Sequence, residues 1–354
     1  MRSVSPAGRA WFNRGMRIAV VAPPWAPVPP ALYGGTELVV DRMAVGFQAA
    51  GHEVTLFTTG DSTSRVPRWH ILEASEGWRI GASVPELIHV TAAYDEIMNR
   101  GFDVVHDHTM VGPFYAERFP DLPVATTVHG PLDGELGQIY QRLQDRVRVV
   151  AISEAQRRPR PDIRVARVIH HGIDAAAFPF GAGDGDYFLF LGRMSADKGA
   201  HRAMEAAHKA GVRLLMAAKM REPAERAYFE AFVKPYLNED LVYLGEVPHE
   251  HKLELLAGAR ALLFPIRWNE PFGMVMIEAL ACGTPVLAFP EGAAPEVIRH
   301  GKTGFLCHDE VDMAEAIGRV HTIDRRDCRA EVEGYFSSAR MVDEYLALFQ
   351  DMLP

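Results

Sequence analysis

Short apolar runs, each leading through a turn into a helix-period stretch, occur in two successive series along this chain of 354 residues. That alternation restricts the fold more than any other feature. RIAVVA, residues 17–22, is a buried-strand signal that runs into the Pro-rich loop PPWAPVPPALYGG. A helix follows, with Val39, Met43, Phe47 and Ala50 on one face, Thr36 placed to cap its start and Gly51 to stop it. EVTLF, residues 53–57, is the next strand. Strand, glycine turn, helix and strand make a βαβ unit, which predicts a parallel sheet. Further strands are expected at 103–106, 123–128, 148–152 and 165–169. The series restarts with the wholly apolar YFLFL at 187–191 and continues through strands at 214–217, 241–244, 261–264 and 285–289. The expected class is therefore α/β, with two Rossmann-like domains whose parallel sheets face a central cleft and whose ligand loops sit at strand carboxyl ends. The expected bounds are a flexible tail at 1–15, a first domain at 16–180, a second at 181–336 and a last helix at 337–354 that crosses back. The segment 178–186 reads as the linker.

Composition narrows the class. Hydrophobic residues at 48% and charged residues at 23% belong to a folded globular chain. The net charge of -9 argues against a protein built to hold nucleic acid, and leaves membrane contact at most peripheral. The basic stretch Arg157, Arg158, Arg160 and Arg164 reads as a solvated loop. Cys282, Cys307 and Cys328 show no metal-ligand spacing, and an odd count suits a reducing compartment, hence the cytoplasm. The first 15 residues carry three arginines but no apolar core, so they are not read as a secretory signal, and Met16 is an alternative start.

The chemistry concentrates in NEPFGMVMIEALACGTPV, residues 269–286. Pro271 and Gly273 mark a helix start directly after a buried strand, and Gly283 and Pro285 end that helix. A helix opening offers backbone N–H groups and a positive dipole end, which suits phosphate. Glu270 precedes that opening, and Glu278 lies roughly 7–8 Å further along the axis. A diphosphate on the amides would have one carboxylate toward each of its substituents, and carboxylates accept hydroxyl hydrogen bonds. A molecule with hydroxyls on both sides of a diphosphate is a nucleotide sugar. The alternative for both acids is a pair of exposed helix charges.

LGRMSADKG, residues 191–199, follows the first strand of the second series. Arg193 and Lys198 there would neutralise a diphosphate and stabilise it as a leaving group without a metal. The glycines of YGGTE, residues 33–37, let backbone approach a ligand, or simply make a tight turn. His106, His108, His129, His170 and His171 each follow a strand. Their spacing carries no metal signature, and they read as polar cleft lining, with His129 exposed by Gly130 and Pro131. Trp25 and Tyr33 are placed either to stack on a sugar or to pack on their own loop. Val342, Tyr345, Leu346 and Phe349 read as the packed face of the last helix.

These residues resemble the retaining glycosyltransferases of family 4, which have the GT-B fold. The 269–286 segment followed by GAAPEVIRHGKTGFL resembles that family's second-half signature. LGRMSADKG looks like its GRxxxxKG loop, VAISEAQ and VIHHGIDAAAF like two further segments, and APPWAPVPPALYGGTE like its glycine loop. The resemblance covers most of the chain from Arg17 to about Leu306. It implies that Arg193 and Lys198 hold the donor diphosphate and that Glu270 contacts the donor sugar. It also implies that backbone amides around Phe272, Gly273 and Met274 hold phosphate and sugar, and that Glu278 binds the ribose. Gly34 and Gly35 would approach the donor phosphates or the acceptor, His129 would lie near the reacting sugar, and Val247 would touch the base. The chain departs from the family at Gly292-Ala293-Ala294, where a Gly-Gly is common, at His171, where Asn is usual, and in a first half of modest length. These departures bear on the acceptor more than on the donor.

The expected function is transfer of a sugar from a nucleotide diphosphate donor, UDP-linked in most of the family, to an acceptor hydroxyl. Retention at the anomeric carbon is expected, with no metal and no cofactor beyond the substrate. Two alternatives keep the fold, a sugar-nucleotide epimerase and a retaining phosphorylase. A third, from another class, is a non-catalytic nucleotide-sugar-binding protein.

Overall fold

A computed structural model describes residues 15–30 and 34–353. Tyr33 and most of the amino-terminal tail lie outside the described residues. The chain forms two compact units. One runs to Ile152 and adds Arg157–His170 and the chain from Ser338 onward; the other comprises Ser153–Gln156 and His171–Ser337.

The first unit is built on strands β1 (Arg17–Val21), β2 (Glu53–Thr58), β3 (Arg68–His70), β4 (Val104–Asp107), β5 (Val124–Thr127), β6 (Arg148–Ala151) and β7 (Val165–Val168). They pair in the order β3-β2-β1-β4-β5-β6-β7, and every pairing is parallel. Strand β1 is central and apolar, and Ile18 through Val21 are fully buried, as a strand covered on both faces requires. The helix Gly35–Ala49 buries Val39, Met43 and Phe47 at the expected spacing. Its start differs from expectation: Gly34 is the capping residue and no side chain caps it, so Thr36 does not play that part. The last helix, Ser338–Met352, buries Val342, Tyr345, Leu346 and Phe349. It packs on the Gly35–Ala49 helix, where the Phe47 ring meets Phe349 at 5.4 Å.

The second unit repeats the plan with β8 (Tyr187–Arg193), β9 (Arg213–Lys219), β10 (Leu241–Gly245), β11 (Leu262–Phe264), β12 (Val286–Ala288) and β13 (Gly304–Leu306). The order is β10-β9-β8-β11-β12-β13, again wholly parallel. Each sheet therefore reverses its winding beside its first strand, between β1 and β4 in one unit and between β8 and β11 in the other. Loops leaving two such neighbours diverge and open a crevice at their carboxyl ends. Two strands escaped the sequence reading: β3, three residues at a sheet edge, and β13, which opens on Gly304.

Candidate functional site

In the second unit the two segments singled out by sequence leave β8 and β11, the neighbours at the winding reversal. The loop after β8 carries Lys198 and turns into the helix Ala200–Ala210 through Gly199, whose φ of +77° favours glycine. The loop after β11 carries Trp268 and Glu270 and turns through Gly273 into the helix Met274–Ala281. One guanidinium stitches these loops together. Arg202 donates to the carbonyls of Ala196 at 3.0 Å, Asp197 at 3.2 Å and Pro265 at 2.7 Å. The backbone N–H of Arg267 adds a bond to the Asp197 carbonyl at 3.0 Å.

That stitching brings Lys198 and Glu270 into direct contact. The Lys198 ammonium is ion-paired to Glu270 Oε2. Trp268 Nε1–H donates to the same oxygen at 2.9 Å, and its ring lies 4.6 Å from Lys198 Nζ. Lys198 and Glu270 are each 9% exposed, so the pair is largely dry. Glu278, 5% exposed, accepts two bonds from Lys252 Nζ, each 3.0 Å long. Both acids are thus buried and paired, which removes the alternative of exposed helix charges. Arg193, partly exposed, pairs with Asp197 at 3.3 Å.

The remaining second-unit residues fall around this core. The Phe272 side chain is buried against His171, ring centres 5.1 Å apart, so its ring is packing material. Gly273 and Met274 lie at the opening of the Met274–Ala281 helix, where backbone N–H groups lack intrahelical acceptors. Val247 is half-buried in the loop between β10 and the helix His249–Gly258. Gly292 is pressed against the Glu270 backbone: a Cβ there would stand 2.8 Å from Glu270 Cα, on a backbone with φ +54°.

In the first unit, Gly34 precedes the Gly35–Ala49 helix, and a Cβ on it would meet Pro30 at 2.8 Å. His108 and His129 follow β4 and β5. His108 Nδ1 faces His129 Nε2 at 2.9 Å, so one of the two nitrogens carries the shared hydrogen. The His108 ring lies 4.1 Å from that of His106. His106 Nε2 bonds Thr127 Oγ1 at 2.8 Å, which meets the Tyr345 hydroxyl of the last helix at 2.9 Å. Burial lowers His129 to about 4; burial and then the nearby His129 charge lower His106 to about 3. Both rings are therefore neutral at pH 7 and act as hydrogen-bonding groups, not as cations.

Arg202, Lys252 and Trp268 were missed by the sequence reading. Trp268 sits two residues before Glu270, close enough for its position to have raised the question. Lys252 gave no signal because Glu278 lies 26 positions away, and Arg202 gave none because its acceptors are backbone carbonyls, which leave no mark in the sequence. Among the described residues no group of acidic, histidine or cysteine side chains is arranged to hold a metal ion, and no helix is long and apolar enough to cross a membrane.

Comparison with known proteins matches residues 175–329 to the family described as glycosyl transferases group 1 and residues 33–177 to glycosyltransferase family 4. The chain is 27% identical over 364 aligned positions to a glycogen synthase of Mycobacterium tuberculosis, covering 86% of each chain. Among solved structures it resembles AviGT4, a glycosyltransferase involved in avilamycin A biosynthesis, with a TM-score of 0.72 and 25% identity over 95% of this chain and 97% of that one. It shares its fold with HepE of Anabaena, solved in complex with UDP-glucose, with a TM-score of 0.74 and 18% identity over 95% of this chain and all (100%) of the other.

Proposed function

Starting from the premise that this chain belongs to the group 1, family 4 glycosyltransferases of the GT-B fold, we propose that it moves a sugar from a UDP-sugar to an acceptor hydroxyl with retention at the anomeric carbon. The observation that carries this reading is the dry cluster of Lys198, Glu270 and Trp268 at the opening of the Met274–Ala281 helix, with the Lys252–Glu278 pair one helix turn beyond. The UDP-glucose complex of HepE, a protein of the same fold, supports the choice of donor.

In this proposal Arg193 and Lys198 hold the donor diphosphate. Backbone amides around Phe272, Gly273 and Met274 add the helix dipole. Glu270 accepts from hydroxyls of the donor sugar, Glu278 from the ribose, and Val247 touches the base. Gly34 and Gly35 lie at the donor phosphates or the acceptor, and neutral His129 hydrogen-bonds near the reacting sugar. The acceptor hydroxyl attacks the anomeric carbon on the face that the diphosphate leaves, the C–O bond to the diphosphate breaks, and a departing phosphate oxygen takes the hydroxyl proton. No side-chain base is then needed, and catalysis rests on positioning and on charge aimed at the leaving group. Arg193 and Lys198 supply that charge, so the reading calls for neither metal nor cofactor. We place the enzyme in the cytoplasm, acting on a sugar, lipid or small-molecule acceptor and not on nucleic acid, with membrane contact at most peripheral.

The test is a product analysis by proton NMR. UDP-sugars are incubated with the protein alone, with orthophosphate, and with a panel of sugar and lipid acceptors. Acceptor-dependent release of UDP with an axial-to-axial or equatorial-to-equatorial outcome is expected. Conversion of donor alone identifies an epimerase, and a requirement for orthophosphate identifies a phosphorylase. Donor affinity without turnover across the panel identifies a binding protein.

A further inference from the structure

Resting on that reading, we propose that Lys198, Glu270 and Trp268 form a latch that a donor diphosphate must open. Glu270 thereby makes the site select sugar-bearing diphosphates over bare ones.

The argument is one of charge and of shared atoms. Each cation of the cluster already has a carboxylate: Arg193 has Asp197, Lys198 has Glu270 and Lys252 has Glu278. The Lys198–Glu270 pair is the driest of the cationic contacts to the phosphate loop, with both side chains 11% exposed against about a third for Arg193 and Asp197. Trp268 touches both partners, donating Nε1–H to Glu270 Oε2 at 2.9 Å and presenting its ring 4.6 Å from Lys198 Nζ. It therefore favours the closed pair from both sides.

A diphosphate bonded to Lys198 brings negative charge beside Glu270 in a poorly solvated place, where like charges repel strongly. Glu270 must give up its bond to Lys198; it keeps the Trp268 N–H but loses its counter-charge, and a buried carboxylate without a cationic partner is costly. A bare nucleoside diphosphate offers only acceptor oxygens on that side and cannot compensate. A sugar nucleotide brings hydroxyl donors, which replace the lost lysine bond. Glu270 thus penalises the bare diphosphate and is satisfied by the sugar. Since the bare diphosphate is also the product, the same pair favours its departure after transfer. Trp268 is a positioning residue for both partners.

The experiment is isothermal titration of the full chain with UDP, GDP and ADP, each also as its glucose ester, for the natural protein and three variants. Glu270→Gln keeps the shape and the Trp268 bond but removes the charge. It is expected to bind the preferred bare diphosphate about tenfold tighter, the lower end of a charged hydrogen bond's worth, and to lose preference for the sugar ester by a similar factor. Trp268→Phe keeps an aromatic ring beside Lys198 without the indole N–H, and is expected to shift the same ratio in the same direction by less. Its melting curve reports whether it is folded. Unchanged or weaker binding of all three bare diphosphates by Glu270→Gln overturns the latch. Lys198→Ala separates the two levels. If it loses diphosphate binding while Glu270→Gln gains none, the latch fails and the donor site stands. If Lys198→Ala binds as tightly as the natural protein, both fail.

Discussion

Lys252 Nζ stands 3.0 Å from each carboxylate oxygen of Glu278, tying the helix His249–Gly258 to the helix Met274–Ala281. The glutamate side chain is 7% exposed and the lysine 22%. Removing the lysine strands a buried carboxylate, while its partial exposure softens the loss. Lys252→Ala should cost about 1–3 kcal/mol in urea unfolding. Adding Glu278→Gln should restore most of that, because the stranded charge is gone. A double variant whose loss equals the sum of the Lys252→Ala and Glu278→Gln losses would show that the pair is not coupled.

Lys198→Ala should reduce turnover by about 10²–10³-fold while far-ultraviolet circular dichroism stays unchanged. That is the range for losing one charge-stabilising contact to a leaving group, ~3–4 kcal/mol. Steady-state kinetics with a saturating UDP-sugar makes the comparison.

Gly292→Ala should impair activity more than a matched glycine control. A Cβ at 292 collides with the Glu270 backbone, whereas Gly301, with φ +76°, has nothing within 4 Å of its Cβ position. Both substitutions carry the left-handed backbone penalty of about 1–2 kcal/mol. Only Gly292→Ala also displaces the carboxylate, so a loss of turnover beyond the shared loss of stability is expected there alone.

Acid should destabilise the first unit. Burial lowers His89 and His129 to about 4, and burial followed by the His129 charge lowers His106 to about 3, from an ordinary value of 6.5. Below pH 6.5 the unfolded chain takes up protons that the folded rings refuse, so stability falls as pH drops toward about 4 and 3. Burial raises Asp107, to about 6, and Glu86, and both work the other way as they protonate. Burial lowers His52 as well, and four imidazoles against two carboxyls leave a net loss. Thermal melts between pH 7 and pH 4 should show a falling midpoint, and His106→Phe should flatten that fall.

Much of the fold was legible in the sequence because most strands are short apolar runs bounded by turns. β8 announces itself as YFLFL, and Phe188, Leu189 and Phe190 are indeed buried. β3 reads RWH, and two of its three residues are exposed, so no apolar run marks it. β13 is three residues opening on a glycine, and its place is set by pairing with β12. Within the site, Lys198 and Glu270 stood out because each precedes a helix opening with local turn signals, and Glu278 because of its spacing from Glu270 along the axis of the same helix. Their pairing could not be read. The bond between Lys198 and Glu270 spans 72 positions and that between Lys252 and Glu278 spans 26, so only the sheet order brings them together. The capping role expected of Thr36 failed because the helix starts two residues earlier than that cap requires, with Gly34 as its cap and Gly35 as its first residue.

The central claim is that the lysine after β8 and the glutamates flanking the Met274–Ala281 helix opening hold a nucleotide diphosphate sugar. Ligand binding raises the melting temperature by mass action, so differential scanning against a set of sugar nucleotides tests it directly. At about 100 times the dissociation constant, stabilisation of ~2.7 kcal/mol is expected for at least one of them. That shift should vanish in Lys198→Ala and shrink in Glu278→Gln. A shift of the same size in all three proteins, or none with any sugar nucleotide, would contradict the account.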